Sequence, residues 1–225
     1  VIIIDGLDKV ERRPLDDGAS NTHDRLFIDR SRQLCSLGVH TVFTVPISLY
    51  YSTRAAQLEQ ALGEFNRPIP MIRLHEREDP EVSPESPGMQ ALVEILKRRC
   101  DSADVTLADV FDSDATRDLL CQMTGGHPRH LLAYVQAACS YLDELPITRA
   151  AVDQAVRDYA NSLLRQIPDE YWQPLQRFST PQTDFPTDEA HQEMLFHLHV
   201  FEYMNHAPWY EVNPVLRTLE KFNAS

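Results

Sequence analysis

The sequence lacks both glycine-rich signatures that cradle phosphates, GxxxxGK[ST] and GxGxxG. A complete phosphate-binding loop of either kind is therefore excluded within these residues. The sequence also lacks any apolar run of the length that crosses a bilayer, so we expect no membrane span. No signal peptide is expected either, because the apolar stretch at 1–4 is short and Asp5 follows it directly.

The sequence also has no closely spaced cysteine pair and has fewer basic than acidic residues. Cys35, Cys100, Cys121 and Cys139 are far apart and form no CxxC pair, so we expect reduced thiols in a cytoplasmic protein. Lys and Arg number 21 against 34 Asp and Glu, which gives a formal net charge of −13. Non-specific nucleic-acid binding depends on Lys and Arg that neutralise phosphates, so this balance argues against it.

The first third of the chain alternates between strand-like and helix-like patterns. The β-branched run at 1–4 is typical of a strand buried on both faces of a parallel sheet. In chain order, the patterns predict a strand at 1–4, a helix at 24–37, a strand at 39–45, a helix at 53–65 and a strand at 71–74. Such alternation favours parallel α/β architecture.

The rest of the chain is mostly helical in pattern. Residues 76–87 are charged and proline-rich, which predicts a linker. Beyond it we expect helices at 88–100, 115–123, 128–143, 149–166, 169–178 and 187–197. Two short strands at 200–203 and 209–212, joined by a turn, precede a last helix that begins at Pro214. The predicted fold class is thus α/β followed by mostly α.

Two aspartates close the first predicted strand, since residues 1–8 read VIIIDGLD. A carboxylate at the carboxyl end of a buried parallel strand lies where ligands bind in open α/β sheets. Asp5 is therefore a candidate Mg²⁺ ligand, and Asp8 is a candidate for orienting or deprotonating water. A strand that simply ends in an Asp-Gly turn would give the same local pattern.

Hydroxyl side chains occur near the end of the second predicted strand. Residues 39–48 read VHTVFTVPIS, and Thr44 and Ser48 are the candidates for contact with a ligand. The sequence alone does not choose between them. Alternatively, Thr44 is present because threonine favours strands, and Ser48 begins the next helix.

Two adjacent glycines precede the helix predicted at 128–143, where residues 124–129 read TGGHPR. Glycine permits close approach to the backbone, Pro128 suits the first turn of a helix, and a helix N-terminus favours anions. His127, Pro128 and Arg129 are therefore candidate ligand-binding residues. The alternative is an ordinary connection between helices that carries a surface arginine.

Together these motifs resemble those of P-loop ATPases of the AAA+/STAND type. The stretch VIIIDGLD is similar to the Walker B motif of STAND and NACHT-like ATPases, and the strand at 39–45 takes the place of their sensor 1 strand. TGGHPR resembles the GxP motif of STAND lids and the sensor 2 segment of origin-recognition-type proteins. The resemblance implies ATP and Mg²⁺ as cofactors.

The resemblance also implies roles at the predicted sheet edge. Asp5 would bind Mg²⁺, and Thr44 or Ser48 would contact the γ-phosphate or its attacking water. Gly6 stands where many AAA+ proteins have a catalytic glutamate, so that role would pass to Asp8. We therefore expect slow hydrolysis, or a switch that stays mostly ATP-bound.

In the lid, the resemblance implies that His127 and Pro128 border the base or sugar and that Arg129 faces the phosphates. The chain begins without methionine inside a strand-like run, and a core strand needs neighbours on both sides. We therefore expect a fragment without its phosphate loop. It would comprise the rear of an ATPase core (1–75), a linker (76–87), a helical lid (88–166) and a winged-helix-like domain (167–225).

Winged helices often bind DNA, but this one is acidic. Residues 161–225 contain four basic side chains, Arg165, Arg177, Arg217 and Lys221, against nine Asp and Glu. A basic face is the first requirement for DNA readout, so we favour a protein partner or self-association through the lid and the winged helix. The alternatives are a DNA-binding ATPase of origin-recognition or transposition-helper type and an inactive scaffold.

Overall fold

The computed structural model describes residues 1–15, 21–62 and 68–224. Its strands are β1 (Ile2–Ile4), β2 (Thr41–Phe43), β3 (Val200–Asn205) and β4 (Ala207–Val212). Its α-helices are α1 (Ser31–Leu34), α2 (Ile47–Tyr50), α3 (Ala55–Leu62), α4 (Pro87–Asp101), α5 (Leu107–Val110), α6 (Asp114–Met123), α7 (Pro128–Cys139), α8 (Arg149–Leu164), α9 (Trp172–Gln176), α10 (Glu189–Phe196) and α11 (Glu220–Ala224). Shorter helical turns are Leu7–Lys9, Cys35–Leu37, Asp169–Tyr171, Arg177–Ser179 and Pro214–Thr218, with a π-helical turn at Asp24–Asp29.

The chain divides into two compact units. The first unit comprises Val1–Ile69 and Phe185–Leu198, and the second comprises Pro70–Asp184 and His199–Ser225. The predicted linker at 76–87 and the strand-like segment before it therefore belong to the second unit. Helix α10 belongs to the first unit, whereas the hairpin that follows it belongs to the second. The winged-helix arrangement stays a prediction.

The first unit is built on a parallel strand pair. Strand β1 pairs with β2 in the register Ile2 with Thr41, Ile3 with Val42 and Ile4 with Phe43, as the alternating pattern predicts. Phe27, Ile28, Leu49 and Leu58 form the buried core of this unit. The predicted helix at 24–37 is interrupted, since a π-helical turn precedes α1. The end of the helix predicted at 53–65, including Phe65, lies outside the described residues.

The expectation that β1 is buried on both faces is wrong for the described structure. Ile3 is 74% exposed and its register partner Val42 is 57% exposed. Register partners lie on the same face of the strand pair, and among the described residues no element covers that face at Ile3 and Val42. The β-branched run therefore identified the strand correctly but overestimated how deeply it is buried.

The second unit confirms most of the predicted helices. Ser86 caps α4 by accepting a hydrogen bond from Met89 N over 3.3 Å, with Pro87 at the first helical position. Thr148 caps α8 in the same way, accepting from Ala151 N over 3.3 Å. The buried faces of these helices meet around fully buried side chains, among them Met89, Leu92, Leu120, Leu131 and Val152.

The third predicted strand, at 71–74, is wrong. This segment is extended, but its amides bond to two different elements: Met71 N donates to Glu202 O over 2.9 Å, and Ile72 N donates to Gly126 O over 3.1 Å. No strand lies beside it to continue a ladder within the described ranges. The apolar residues that suggested a strand pack instead against the hairpin and the TGGHPR turn.

The predicted hairpin is confirmed, with β3 and β4 antiparallel from Val200 opposite Val212 to Asn205 opposite Ala207. His206 forms the turn with φ of 60°. In outline, the fold is mostly helical with one parallel and one antiparallel strand pair. Within the part of the chain that the structure describes, no helix combines the length and apolarity needed to cross a membrane.

Candidate functional site

Asp5 stands at the carboxyl end of β1, exposed to solvent. The chain turns sharply at Gly6, whose φ is 88°, a left-handed conformation that favours glycine. Gly6 N donates to Asp5 Oδ1 over 2.8 Å and so fixes the carboxylate at the edge of the sheet. Among the described residues Oδ2 has no partner, so this oxygen is available to a ligand.

Asp8 lies on the helical turn that follows, and the structure brings it together with Thr44. The Thr44 hydroxyl donates to Asp8 Oδ1 over 2.8 Å, and the backbone N–H of Asp8 donates to Thr44 Oγ1 over 3.3 Å. Thr44 is placed there because β2 runs parallel to β1, and Thr44 N donates to Ile4 O over 3.2 Å. The carboxyl ends of both strands thus lie at one edge, and we call Asp5, Asp8 and Thr44 the sheet-edge cluster; Asp8 and Thr44 bond to each other, whereas Asp5 bonds to Gly6 N.

The chemistry of the sheet-edge cluster fits a magnesium ion that is held mainly by other ligands. Mg²⁺ retains several waters and is usually bound through one or two carboxylates together with substrate phosphates. Asp5 and Asp8 supply two carboxylates, each with one oxygen already engaged. No group of three or more His, Cys, Asp or Glu side chains suited to a metal occurs among the described residues. The protein alone therefore offers an incomplete coordination sphere.

Ser48, the other hydroxyl candidate, does not join the sheet-edge cluster. It lies on α2, is only 2% exposed, and its Oγ has no hydrogen-bond partner among the described residues. It lines a separate cavity of about 230 Å³ in the first unit. The contact of Thr44 with Asp8 therefore favours Thr44 over Ser48 as the residue that would sense a ligand at Asp8.

The cavity beside Ser48 is polar, but its charges are paired with one another. Arg12 lies 3.2 Å from Glu189 and 3.0 Å from Glu193. Arg54 lies 3.4 Å from Asp24 and 2.8 Å from Asp29. With both guanidinium groups neutralised, this cavity has little excess positive charge for a phosphate. One set of ion pairs joins the loop after β1 to α10, and the other joins Arg54, just before α3, to the π-helical turn at Asp24–Asp29.

The TGGHPR motif of the second unit begins α7, and His127 caps that helix. His127 Nδ1 accepts hydrogen bonds from Arg129 N over 3.1 Å and His130 N over 3.4 Å. This nitrogen must therefore be unprotonated. Burial, aided by the charge of Arg129, lowers the pKa of His127 to about 4. Capping thus satisfies two of the backbone N–H groups that an anion would otherwise take up.

The groups that approach the two glycines closely are other residues of this protein. A Cβ on Gly126 would collide with the carbonyl group of Ile72, and a Cβ on Gly125 would lie 2.5 Å from the Phe201 ring. Both glycines also have positive φ, 57° at Gly125 and 80° at Gly126. The glycine pair therefore has a structural role whatever else binds near the motif.

Pro128 and Arg129 remain exposed at the start of α7. Arg129 forms no ion pair with any residue that the structure describes, so its guanidinium group is free to meet an anion. Behind it, His130 is buried and stacks on His127 with ring centroids 4.2 Å apart. Burial, with smaller contributions from His127 and Arg129, lowers the pKa of His130 to about 3. Both imidazoles are therefore neutral at pH 7.

Two polar networks were missed by the sequence analysis. One joins Arg12 to α10, and the other joins His75 to Glu211 and Arg217. Arg12 and His75 lie in segments that were interpreted as a loop and as the end of the ATPase core, and their partners are distant in sequence. No periodic or motif signal marks such pairs, so the sequence could not reveal them.

No protein-family model, no curated protein and no solved structure matches this chain.

Proposed function

We propose that the chain is the nucleotide-responsive module of an ATP-dependent switch of the AAA+/STAND type. The observation that carries this proposal is the Thr44–Asp8 hydrogen bond of 2.8 Å at the carboxyl end of a parallel strand pair. Two sequence motifs that lie 36 residues apart thereby contribute side chains to the same edge. This edge is where open α/β sheets bind their ligands. An inert sheet has no need to couple the two side chains.

In this proposal, Asp5 contributes one ligand to a Mg²⁺ ion, through the oxygen that Gly6 leaves unoccupied. When bound, the ion neutralises the charge on the phosphates of ATP. Asp8 orients the attacking water, and Thr44 fixes the Asp8 carboxylate in place. Gly6 provides no second carboxylate next to Asp5, so turnover is slow. The phosphate loop that completes such a site is absent from these 225 residues.

The second unit would report on the nucleotide through Arg129. Its guanidinium group is exposed and unpaired among the described residues, which suits a side chain that meets phosphates only when the protein is bound to ATP. The response would pass to a protein partner or to a second copy of the chain through the helices and the hairpin. Residues 161–225 carry four basic against nine acidic side chains, which makes duplex DNA a poor partner.

The experiment is steady-state ATP hydrolysis by the full-length protein, comparing the wild type with Asp8→Asn. Asparagine keeps an oxygen that can accept from Thr44 but cannot deprotonate water. General-base catalysis contributes about 10²- to 10⁴-fold, so we expect turnover to fall by at least about 100-fold. Unchanged turnover would refute a catalytic role for Asp8.

The same preparation separates the other two candidate functions. Nanomolar, salt-sensitive binding of duplex DNA in fluorescence anisotropy would favour a DNA-binding ATPase. Absence of both ATP binding and DNA binding would favour a scaffold that retains the fold of an ATPase without its chemistry. The 225 residues alone should not hydrolyse ATP measurably, because they hold no backbone cradle for the β- and γ-phosphates.

A further inference from the structure

The second unit begins with residues 70–76, and this segment packs against two glycines, Gly126 and Gly88. We call it the connecting strap. Besides the collision at Gly126 described above, a Cβ on Gly88 would collide with the carbonyl group of Arg73. Two backbone amides of the strap also donate hydrogen bonds to the second unit. Met71 N donates to Glu202 O, and Ile72 N donates to Gly126 O. The strap is thus fitted closely into the second unit, immediately after the first unit ends at Ile69.

His75 lies at the far end of the strap and bonds through both ring nitrogens. Nε2 lies 3.0 Å from Glu211 Oε2 on β4, and Nδ1 lies 2.8 Å from the carbonyl oxygen of Glu76. The imidazole is 9% exposed and packs beside the Trp209 ring, with centroids 5.4 Å apart. The ring is therefore fixed between two acceptors.

Neither of those acceptors can donate a hydrogen bond. A carbonyl oxygen and an ionised carboxylate only accept, so both nitrogens of His75 must carry a proton for both bonds to form. A neutral imidazole has one N–H and would turn a lone pair toward one of the two oxygens. Arg217 pairs with the other oxygen of Glu211, so both oxygens of this carboxylate are engaged by donors. The geometry of the strap thus requires a histidine cation.

We propose that His75 is a proton-dependent latch: as the imidazolium it locks the connecting strap onto the hairpin of the second unit, and its deprotonation loosens the strap. Loosening releases residues 70–76 from their contacts with the hairpin and the TGGHPR turn. All contacts of the latch lie within the second unit, and the inference does not rest on the proposed function.

The surrounding charges agree with this arrangement. Glu211 on β4 and Arg217 on the Pro214–Thr218 turn are the charged groups that act on His75 from the elements packed against it, and Glu76 adds its carbonyl from the strap. Burial lowers the pKa of His75, but the bonds to Glu211 and to Glu76 raise it by more, so it lies above its ordinary value of 6.5. Tyr203 donates to Gly125 O and stays neutral, because burial raises its pKa.

The sign of the pH dependence follows from that shift. A histidine whose pKa is raised on folding stabilises the docked strap fully below its unfolded value of 6.5. This stabilisation is lost as the pH rises through the raised pKa of the folded protein. The latch is therefore closed in mildly acidic solution and opens as the solution becomes alkaline.

The test is an NMR titration of the histidine rings, together with hydrogen exchange of the Met71 and Ile72 amides, in the complete chain. We expect His75 to carry protons on both nitrogens at pH values above 6.5, the ordinary value for histidine. After correction for intrinsic exchange, protection at Ile72 should fall by about tenfold or more as His75 deprotonates, as expected for the loss of a charged hydrogen bond.

Two variants identify the group responsible. Glutamine at position 75 keeps a donor but does not titrate, so His75→Gln should abolish the pH dependence of protection at Ile72. The matched variant His206→Gln should retain that dependence. A His75 that loses its proton at or below pH 6.5 would overturn the latch. So would protection at Ile72 that does not change with pH in the wild type, or that changes equally in His75→Gln.

Discussion

The Thr44 hydroxyl donates a hydrogen bond to Asp8 Oδ1 over 2.8 Å and accepts one in return from the Asp8 backbone over 3.3 Å. This reciprocal pair joins the end of β2 to the turn after β1. Removal of the hydroxyl leaves the half-buried carboxylate and the N–H group without their partner. We therefore expect Thr44→Val, which is nearly isosteric, to cost about 1 kcal/mol of unfolding free energy in urea.

A matched variant is available on the same strand. Thr41 lies at the start of β2, opposite Ile2, and its hydroxyl bonds to no residue that the structure describes. Thr41→Val should therefore leave the free energy of unfolding nearly unchanged. Equal losses in the two variants would mean that strand packing, and not the bond to Asp8, accounts for the effect.

The neighbouring arginines 12 and 13 offer a second comparison. The Arg12 side chain is mostly buried and pairs with both Glu189 and Glu193 on α10, whereas the Arg13 side chain is 70% exposed and pairs with Glu11 at the surface. Exposed ion pairs add little to the stability of a protein, whereas networks of ion pairs that are shielded from solvent add more. We expect Arg12→Met to destabilise the first unit by about 1 kcal/mol and Arg13→Met to have no measurable effect, both followed by thermal unfolding. A reversed order would contradict the assignment of Arg12 as the residue that holds α10.

The glycines of the TGGHPR turn permit a test of close packing. Gly126→Ala adds a methyl group that collides with Ile72 and also places alanine at a φ of 80°. We expect the free energy of unfolding of the second unit to fall by more than about 2 kcal/mol, because overpacking and backbone strain act together.

Gly38→Ala is the control for the backbone conformation alone. Its φ is 63°, but nothing lies within 4 Å of the added Cβ. It should lose only the cost of the left-handed conformation, about 1 kcal/mol. If Gly126→Ala lost no more than Gly38→Ala, the strap would be able to move aside, and close packing at Gly126 would be refuted.

The sequence pattern predicted which segments form strands and helices. It predicted less well how deeply those segments are buried and which residues they bond to. The β-branched run at 1–4 gave the right element, because strand pattern depends on neighbours in sequence. The exposure of Ile3 could not be foreseen, since it depends on what covers the sheet. The strand predicted at 71–74 failed because its hydrogen-bond partners are remote in sequence.

For the candidate site, the sequence pointed to Asp5, Asp8 and Thr44 but left Thr44 and Ser48 as equal alternatives. Only the three-dimensional contact with Asp8 distinguishes them. The motif at 124–129 was expected to approach a ligand closely, but the described contacts of its glycines are to Ile72 and Phe201. Such internal packing leaves no trace in local sequence, because glycine is favoured in either case.

The cap of α7 predicts a response to acid. His127 accepts two backbone hydrogen bonds only while it is neutral, and its folded pKa of about 4 lies below the ordinary 6.5. The stability that it contributes is therefore present above about pH 6.5 and is lost as the pH falls toward 4. Asparagine caps helices equally well without titrating.

We expect His127→Asn to match the wild type at pH 7 in urea unfolding and to lose less stability between pH 6.5 and 4. His206→Gln, which removes an exposed histidine, should keep the acid sensitivity of the wild type. Identical pH profiles in wild type and His127→Asn would show that protonation of His127 does not limit the stability of the second unit.

The most direct test of the central claim is the Mg²⁺ dependence of ATP affinity in the full-length protein, measured by titration calorimetry. The comparison is between wild type, Asp5→Ala and Glu59→Ala, which removes an exposed carboxylate from α3 of the same unit. We expect the affinity gained on adding Mg²⁺ to fall by about tenfold or more in Asp5→Ala, equivalent to about 1.4 kcal/mol, and to persist in Glu59→Ala. An equal Mg²⁺ effect in all three proteins would contradict Asp5 as the metal ligand and the sheet-edge cluster as a nucleotide site.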